Sequence, residues 1–143
     1  MILFLLELPS PPTETISSLA VNGTSPSQQN PAGSPMNMLI ATSWDGTVSC
    51  YEIAPEAGRC VPKSQIKHLG QNYVRYNCIT NNIYVFYLAP VLCCAIAPDQ
   101  QTVFSGGIDT VIKMWNPVTN TPPVDIGKHD APIREMKFCR VWI

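Results

Sequence analysis

The feature that most constrains this 143-residue chain is a short hairpin pattern that occurs twice. Ser105–Asn116, SGGIDTVIKMWN, joins a glycine pair and an aspartate to a run of β-branched, sulfur and aromatic side chains. Gly106 and Gly107 permit a tight backbone, Asp109 can bond the amides of its own turn, and Val111–Trp115 suits a half-buried strand. Upstream, residues 41–53, ATSWDGTVSCYEI, repeat the arrangement. Superposing Asp45 on Asp109 places Val48 on Ile112 and Tyr51 on Trp115 without a gap. The shared pattern is Asp, two residues, Val or Ile, two residues, Trp or Tyr, which predicts two copies of one small antiparallel sheet.

A second repeat sets the period. Ala89-Pro90-Val91 and Ala131-Pro132-Ile133 each open an apolar run, and they stand 42 residues apart, inside the roughly 40–45 residues of one propeller blade. The two hairpins are 64 residues apart, so extra chain lies between them. His129 stands two residues before Ala131, whereas His68 stands 21 before Ala89, which puts an excess of 19 residues within 69–88.

These pieces carry a resemblance. The chain resembles the N-terminal part of a WD40 β-propeller, and within that fold the RNA export factor family of the nuclear pore. The matching stretches are TETISSL (13–19), LIATSWD (39–45), VPK (61–63), APVL (89–92), VFSGG (103–107), KMW (113–115) and HDAPI (129–133). The mitotic checkpoint propeller of the Bub family shares SWD, SGG and HDAPIR, and VPK with the intact KMW favours the export factor. The fold class expected is therefore all-β, a partial propeller of about two blades plus the first strand of a third. A closed ring needs roughly four to eight blades, and 143 residues at a period of 42 give about three. The expectation is an incomplete ring that self-associates when isolated.

Along the chain, 1–12 is read as an irregular N-terminal segment. Its apolar opening MILFLL lacks a positive flank and runs into Glu7, Pro9, Pro11 and Pro12, which does not suit a signal peptide. Residues 13–68 are read as the first blade, with strands at 16–21, 38–42, 47–53 and near 61–67. Residues 22–37, rich in Asn, Ser, Pro, Gly and Gln, form a flexible a–b loop. The Asn22-Gly23-Thr24 sequon within it is idle in a nuclear or cytosolic protein. The insertion 69–88 has a single charge, Arg75, and is dominated by Asn, Tyr, Ile, Val and Leu. It is either an aromatic partner-binding loop or translated intron, and in both cases IYVFYL (83–88) is aggregation-prone if exposed. The second blade is read over 89–128, with strands at 90–97, 102–105, 110–116 and 123–127, and 129–143 as the start of a third, with strand a at 129–139.

The chemistry expected is structural. Resemblance to WD40 blades implies a hydrogen-bond network of His68, Ser105, Asp109 and Trp115 in the second blade. Of the first blade only Asp45 carries over, because Ala41 and Tyr51 stand where a hydroxyl and a Trp belong. A Ser-His-Asp hydrolase would need an exposed nucleophile and an oxyanion hole, and no nucleophile elbow is present. The glycine pair is not followed by a phosphate-binding signature. The six cysteines, Cys50, Cys60, Cys78, Cys93, Cys94 and Cys139, form no CxxC pair, which suits buried thiols in a reducing compartment better than zinc. No enzyme activity, cofactor or metal is expected. Net charge is −1 with 9 Lys and Arg, so no basic stripe holds a nucleic-acid backbone and RNA association would be indirect.

The resemblance implies a scaffold that binds a nucleoporin segment and messenger ribonucleoprotein, acts in spindle assembly, touches no membrane, and resides in the nucleus, at the pore and in the cytoplasm. The alternatives are a checkpoint adaptor that binds kinases, and a misspliced product without an independent folded function.

Overall fold

Short runs rich in Val, Ile, Thr, Cys and aromatic residues, punctuated by Asp-Gly, Pro-Asp and Asn-Pro, favour strands joined by tight turns. A computed structural model describes residues 8–22, 37–54, 58–68, 89–119 and 121–138. It contains eight strands in two four-stranded antiparallel sheets, each in simple sequential order. The first sheet is β1 (Ile16–Val21), β2 (Asn37–Ser43), β3 (Thr47–Ala54) and β4 (Arg59–Lys67). The second is β5 (Val91–Ile96), β6 (Val103–Gly107), β7 (Val111–Trp115) and β8 (Val124–Lys128). The all-β, unclosed architecture agrees with the sequence expectation, as do all eight strand positions within two residues at each end. The N-terminal residues 1–7, most of the 22–37 loop, the insertion 69–88, and Cys78, Cys139 and 140–143 lie outside the described residues.

The buried positions concentrate in β2, β3, β5 and β6. Met38, Ile40, Val48 and Cys50 of β2 and β3 join Val91, Cys94, Val103 and Trp115 of the second sheet in one buried apolar cluster. The cluster therefore spans the two sheets, and β5 packs against β1 and β2. Ser17 fastens that seam through its hydroxyl, which bonds both Thr42 Oγ1 and the Val91 carbonyl. The outer strands β4 and β8 alternate or lie open, with Val124 and Ile126 exposed. Cross-strand ion pairs hold each to its neighbour, Lys63–Glu52 at 2.5 Å and Lys113–Asp125 at 2.5 Å.

Two expectations are corrected. Gly106 and Gly107 are not turn residues. They end β6 and pair with Cys93 and Val91 of β5. Gly107 is required there by proximity, since a Cβ at that position would lie 2.2 Å from the Pro90 carbonyl oxygen. The turn is Ile108-Asp109-Thr110, and its left-handed residue is Thr110 at φ 64°. In the first sheet the same position is Gly46 at φ 80°. The second correction concerns 129–138, which forms no strand. None of the described strands offers this segment a ladder, so it lies along β6 instead. The Ile133 amide donates to Gly107 O at 3.0 Å, Ile133 and Met136 cover Gly106, and Phe138 meets Phe104 edge to face with centroids 5.2 Å apart.

A β-branched residue held at positive φ is strained by about 1–2 kcal/mol. Thr110→Gly should therefore raise stability in urea by about 1 kcal/mol, after the entropic cost of glycine. Gly107→Ala should lower it by about 2 kcal/mol because the clash is with backbone. A destabilised Thr110→Gly protein would show that the turn carries no strain.

Candidate functional site

His68 follows β4 and sits where the two sheets meet. Its side chain is fully buried, so every polar atom of the residue must find a partner within the protein. The His68 amide donates to Gly46 O at 2.8 Å in the first sheet's turn, and its carbonyl accepts from the Ala89 amide at 3.1 Å at the entrance to β5. The ring crosses to the second sheet. Nδ1 lies 2.9 Å from Asp109 Oδ2, and Nε2 lies 2.8 Å from Ser105 Oγ. A carboxylate only accepts, so Nδ1–H donates to Asp109, and in the neutral ring Nε2 accepts the Ser105 hydroxyl proton. Asp109 keeps its second oxygen for its own turn, accepting from the Val111 amide at 3.3 Å.

Three of the residues singled out in sequence thus come together, and the long connection between His68 and β5 does not keep the ring from Asp109. Trp115 is 3% exposed, yet its indole Nε1 is buried without a hydrogen-bond partner among the described residues. It joins the site through packing in the apolar cluster.

Asp45 is the counterpart of Asp109 in the first sheet and meets a different partner. Oδ1 accepts from the Thr47 amide at 2.9 Å and the Thr47 hydroxyl at 2.5 Å, while Oδ2 accepts from the Thr13 amide and hydroxyl, both at 3.0 Å. Thr13 therefore occupies the role that the histidine has in the second sheet. Sequence reasoning did not single out Thr13. The available signal was a short hydroxyl-bearing stretch, Thr13-Glu14-Thr15, just ahead of a strand. Partial burial works against the Asp45 charge, but the bonds from Thr47 and Thr13 outweigh it and hold the carboxyl below its ordinary value. Tyr51, the counterpart of Trp115, is equally buried and donates its hydroxyl to Ser10 O at 3.1 Å.

The order Asp109, His68, Ser105 is that of a hydrolytic triad, but Ser105 and His68 are both 0% exposed. A nucleophile must meet its substrate, and this hydroxyl is sealed beneath the sheets. Burial pushes the Cys50 thiol up to about 12 and the Cys93 and Cys94 thiols up to about 11, away from the thiolate form that gives reactivity. Among the described residues no group of three or more His, Cys, Asp or Glu side chains is placed to hold a metal ion.

Residues 81–116 match the WD40 family, described as WD domain, G-beta repeat. That span takes in the end of the 69–88 segment as well as β5, β6 and β7. Over 135 residues, 94% of its length, the chain is 30% identical to the mRNA export factors of Xenopus tropicalis and Danio rerio and 27% identical to that of Mus musculus. The chain spans 29% of the length of these relatives.

Removing the Ser105 hydroxyl leaves a buried ring nitrogen unpaired. Ser105→Ala should cost about 1–3 kcal/mol in urea unfolding without changing the fold. Combined with Trp115→Phe, its coupling should stay within about 0.5 kcal/mol, since no bond links the two. Coupling well above that would mean the indole does donate to the hydroxyl. For Asp45 the folded-state carboxyl is more acidic than the unfolded one, so its stabilising contribution is present above the ordinary carboxylate range. It is lost as pH falls through that range to the lowered value. Asp45→Asn should accordingly flatten the loss of stability between about pH 5 and pH 3. An unchanged acid limb would exclude a role for the Thr13–Asp45 clasp. The chain carries a WD40 repeat in an all-β, partial-propeller fold and is similar over most of its length to mRNA export factors.

Proposed function

We propose that the chain is a non-enzymatic WD40 scaffold of messenger RNA export. On this reading it docks onto a nucleoporin segment at the nuclear pore and joins messenger ribonucleoprotein through protein contacts, with a further role at the mitotic spindle. Its place is the nucleus and the pore, and also the cytoplasm. The observation that carries the proposal is similarity to mRNA export factors along 94% of the chain. The buried polar node supports it: His68, Ser105 and Asp109 are spent on holding two sheets together. The network role of these residues together with Asp45, and the assignment of 13–68 and 89–128 as successive blades, belong to the same proposal. Binding then falls to turns and exposed faces on a rigid framework.

The balance of charge supports indirect contact with RNA, because a net charge of −1 offers no continuous cationic track along a phosphate backbone. The test is capture of the full chain on immobilised nucleoporin segments, followed by recovery of poly(A) RNA from nuclear extract with and without ribonuclease. Nucleoporin capture should resist ribonuclease, and recovery of RNA should require added ribonucleoprotein proteins. Direct, salt-sensitive binding of naked RNA with no nucleoporin capture would overturn the proposal.

A further inference from the structure

The segment that leads into β1 is held to the first sheet at two points. The Tyr51 hydroxyl donates to Ser10 O at 3.1 Å, and Asp45 accepts from the Thr13 amide and hydroxyl. The first of these bonds takes the Ser10 carbonyl and leaves the side chain outside it. Residues 8–15 form no strand, and Ser10 and Pro11 are both exposed. The chain bends at Ser10, φ 52°, and Pro11 and Pro12 follow.

Beside Ser10 a pocket of about 250 Å³ opens on the β3–β4 ladder. A bulge shapes it. Cys50 pairs with Ser64 and Tyr51 with Pro62, so Lys63 is an extra residue on β4, and a bulge re-aims the side chain that it carries. The wall includes Ser49, Lys63, Ser64 and Gln65. Gln65 Nε2 donates to Ser49 Oγ at 3.0 Å, which leaves the Ser49 proton to be donated elsewhere. Ser64 Oγ is buried and has no hydrogen-bond partner among the described residues. Lys63 Nζ reaches Glu52 at 2.5 Å, and an ammonium carries further donors beyond the one that this pair uses. No carboxylate among the described residues lines the pocket. A lysine and spare hydroxyl protons, with no acid among them, suit an oxyanion.

We infer that Ser10 is the acceptor for a proline-directed protein kinase, and that its phosphoryl group is received in this pocket by Lys63 and the Ser49 and Ser64 hydroxyls. A kinase needs its acceptor on an exposed segment outside regular structure, and a proline-directed one takes a following residue that lacks an N–H, as Pro11 does. In the step, Ser10 Oγ attacks the γ-phosphorus of ATP, the bond to the β-phosphate oxygen breaks, ADP leaves, and the hydroxyl proton passes to the kinase's catalytic aspartate. The product carries a charge of about −1.5 to −2 on acceptor oxygens, which meet the donors of the pocket. Phosphorylation thereby pins the N-terminal segment to the β3–β4 ladder. The inference does not depend on the scaffold reading.

Ser25, Ser34 and Thr121 also precede proline. The full chain is therefore treated with ATP and, in turn, a cyclin-dependent and a mitogen-activated kinase, and the phosphorylated residues are mapped by peptide mass spectrometry. A second chain carrying Ser25→Ala, Ser34→Ala and Thr121→Ala isolates Ser10 for phosphorus NMR. Ser10 should be labelled in both chains, and adding Ser10→Ala to the second should abolish its labelling. The phosphoserine should titrate about half a unit or more below the value near 6 of a free phosphoserine peptide. Lys63→Gln should return it to that value with circular dichroism unchanged, since the lysine side chain is partly exposed. No label on Ser10 with either kinase overturns the inference. So does a phosphoserine that titrates like the free peptide, or one whose value stays low in Lys63→Gln.

Discussion

One imidazole ties the two sheets together. The main chain of His68 belongs to the first sheet through Gly46 and leads to the second through Ala89, and its ring bonds β6 and the turn beyond it. Such a residue is costly to bury unless all of its polar atoms are met, and here the ring nitrogens, the amide and the carbonyl each have a partner. The apolar cluster supplies the larger share of cohesion between the sheets, but it is not directional. The ring fixes their register, because Asp109 and Ser105 can both be reached from one position only. Ser17, bonded to Thr42 and to the Val91 carbonyl, makes a second polar stitch on the same seam.

The internal repeat holds at the level of individual hydrogen bonds. Trp44 N to Thr15 O and Ile108 N to Pro90 O are both 3.0 Å. Gly46 N to Ser43 O and Thr110 N to Gly107 O are both 3.2 Å, and His68 N to Gly46 O and His129 N to Thr110 O are both 2.8 Å. The repeat therefore specifies backbone geometry first, and side chains are substituted on it with local compensation. Where the first sheet has no upstream histidine, Thr13 grips Asp45. Where Tyr51 replaces the indole, its hydroxyl reaches Ser10 O.

This hierarchy explains what could be read from the residues alone. The spacing Asp45-Val48-Tyr51 against Asp109-Ile112-Trp115 located both hairpins, because strand period and turn chemistry are local. The meeting of His68 with Asp109 and Ser105 was accessible only through family resemblance, since 37 to 41 residues of chain separate the partners. The glycine pair misled because a glycine needed for close approach and one needed for a turn look alike in sequence. The neighbour that settles the matter, the Pro90 carbonyl, lies 17 residues away. Thr110 hid the true left-handed position, because β-branched residues rarely occupy it. Residues 129–139 have strand propensity, but a strand also needs a ladder, and that is a property of the partner. Thr13, and the bond that the Tyr51 hydroxyl makes to Ser10 O, were missed for a related reason. Their bonds replace absent members of a pattern, and a pattern names only the members it contains.

The division between buried and exposed polar groups bears on what such a fold can do. A Ser-His-Asp set aligned within 2.9 Å could be mistaken for catalytic machinery. Its geometry is good because it is sealed: the low-dielectric surroundings that strengthen each bond also keep substrate out. The same alignment at the surface would exchange with water and hold the sheets less firmly. The framework thus uses its strongest polar residues for rigidity, and leaves at the surface side chains that the repeat projects but does not consume. Trp44 and Arg134 are of that kind. Each stands beside a residue fixed by the backbone pattern, Asp45 in one case and Ile133 in the other, yet each is exposed. A rigid seam holds the aromatic and cationic groups at its rim already ordered, so a contact made there would cost little further ordering.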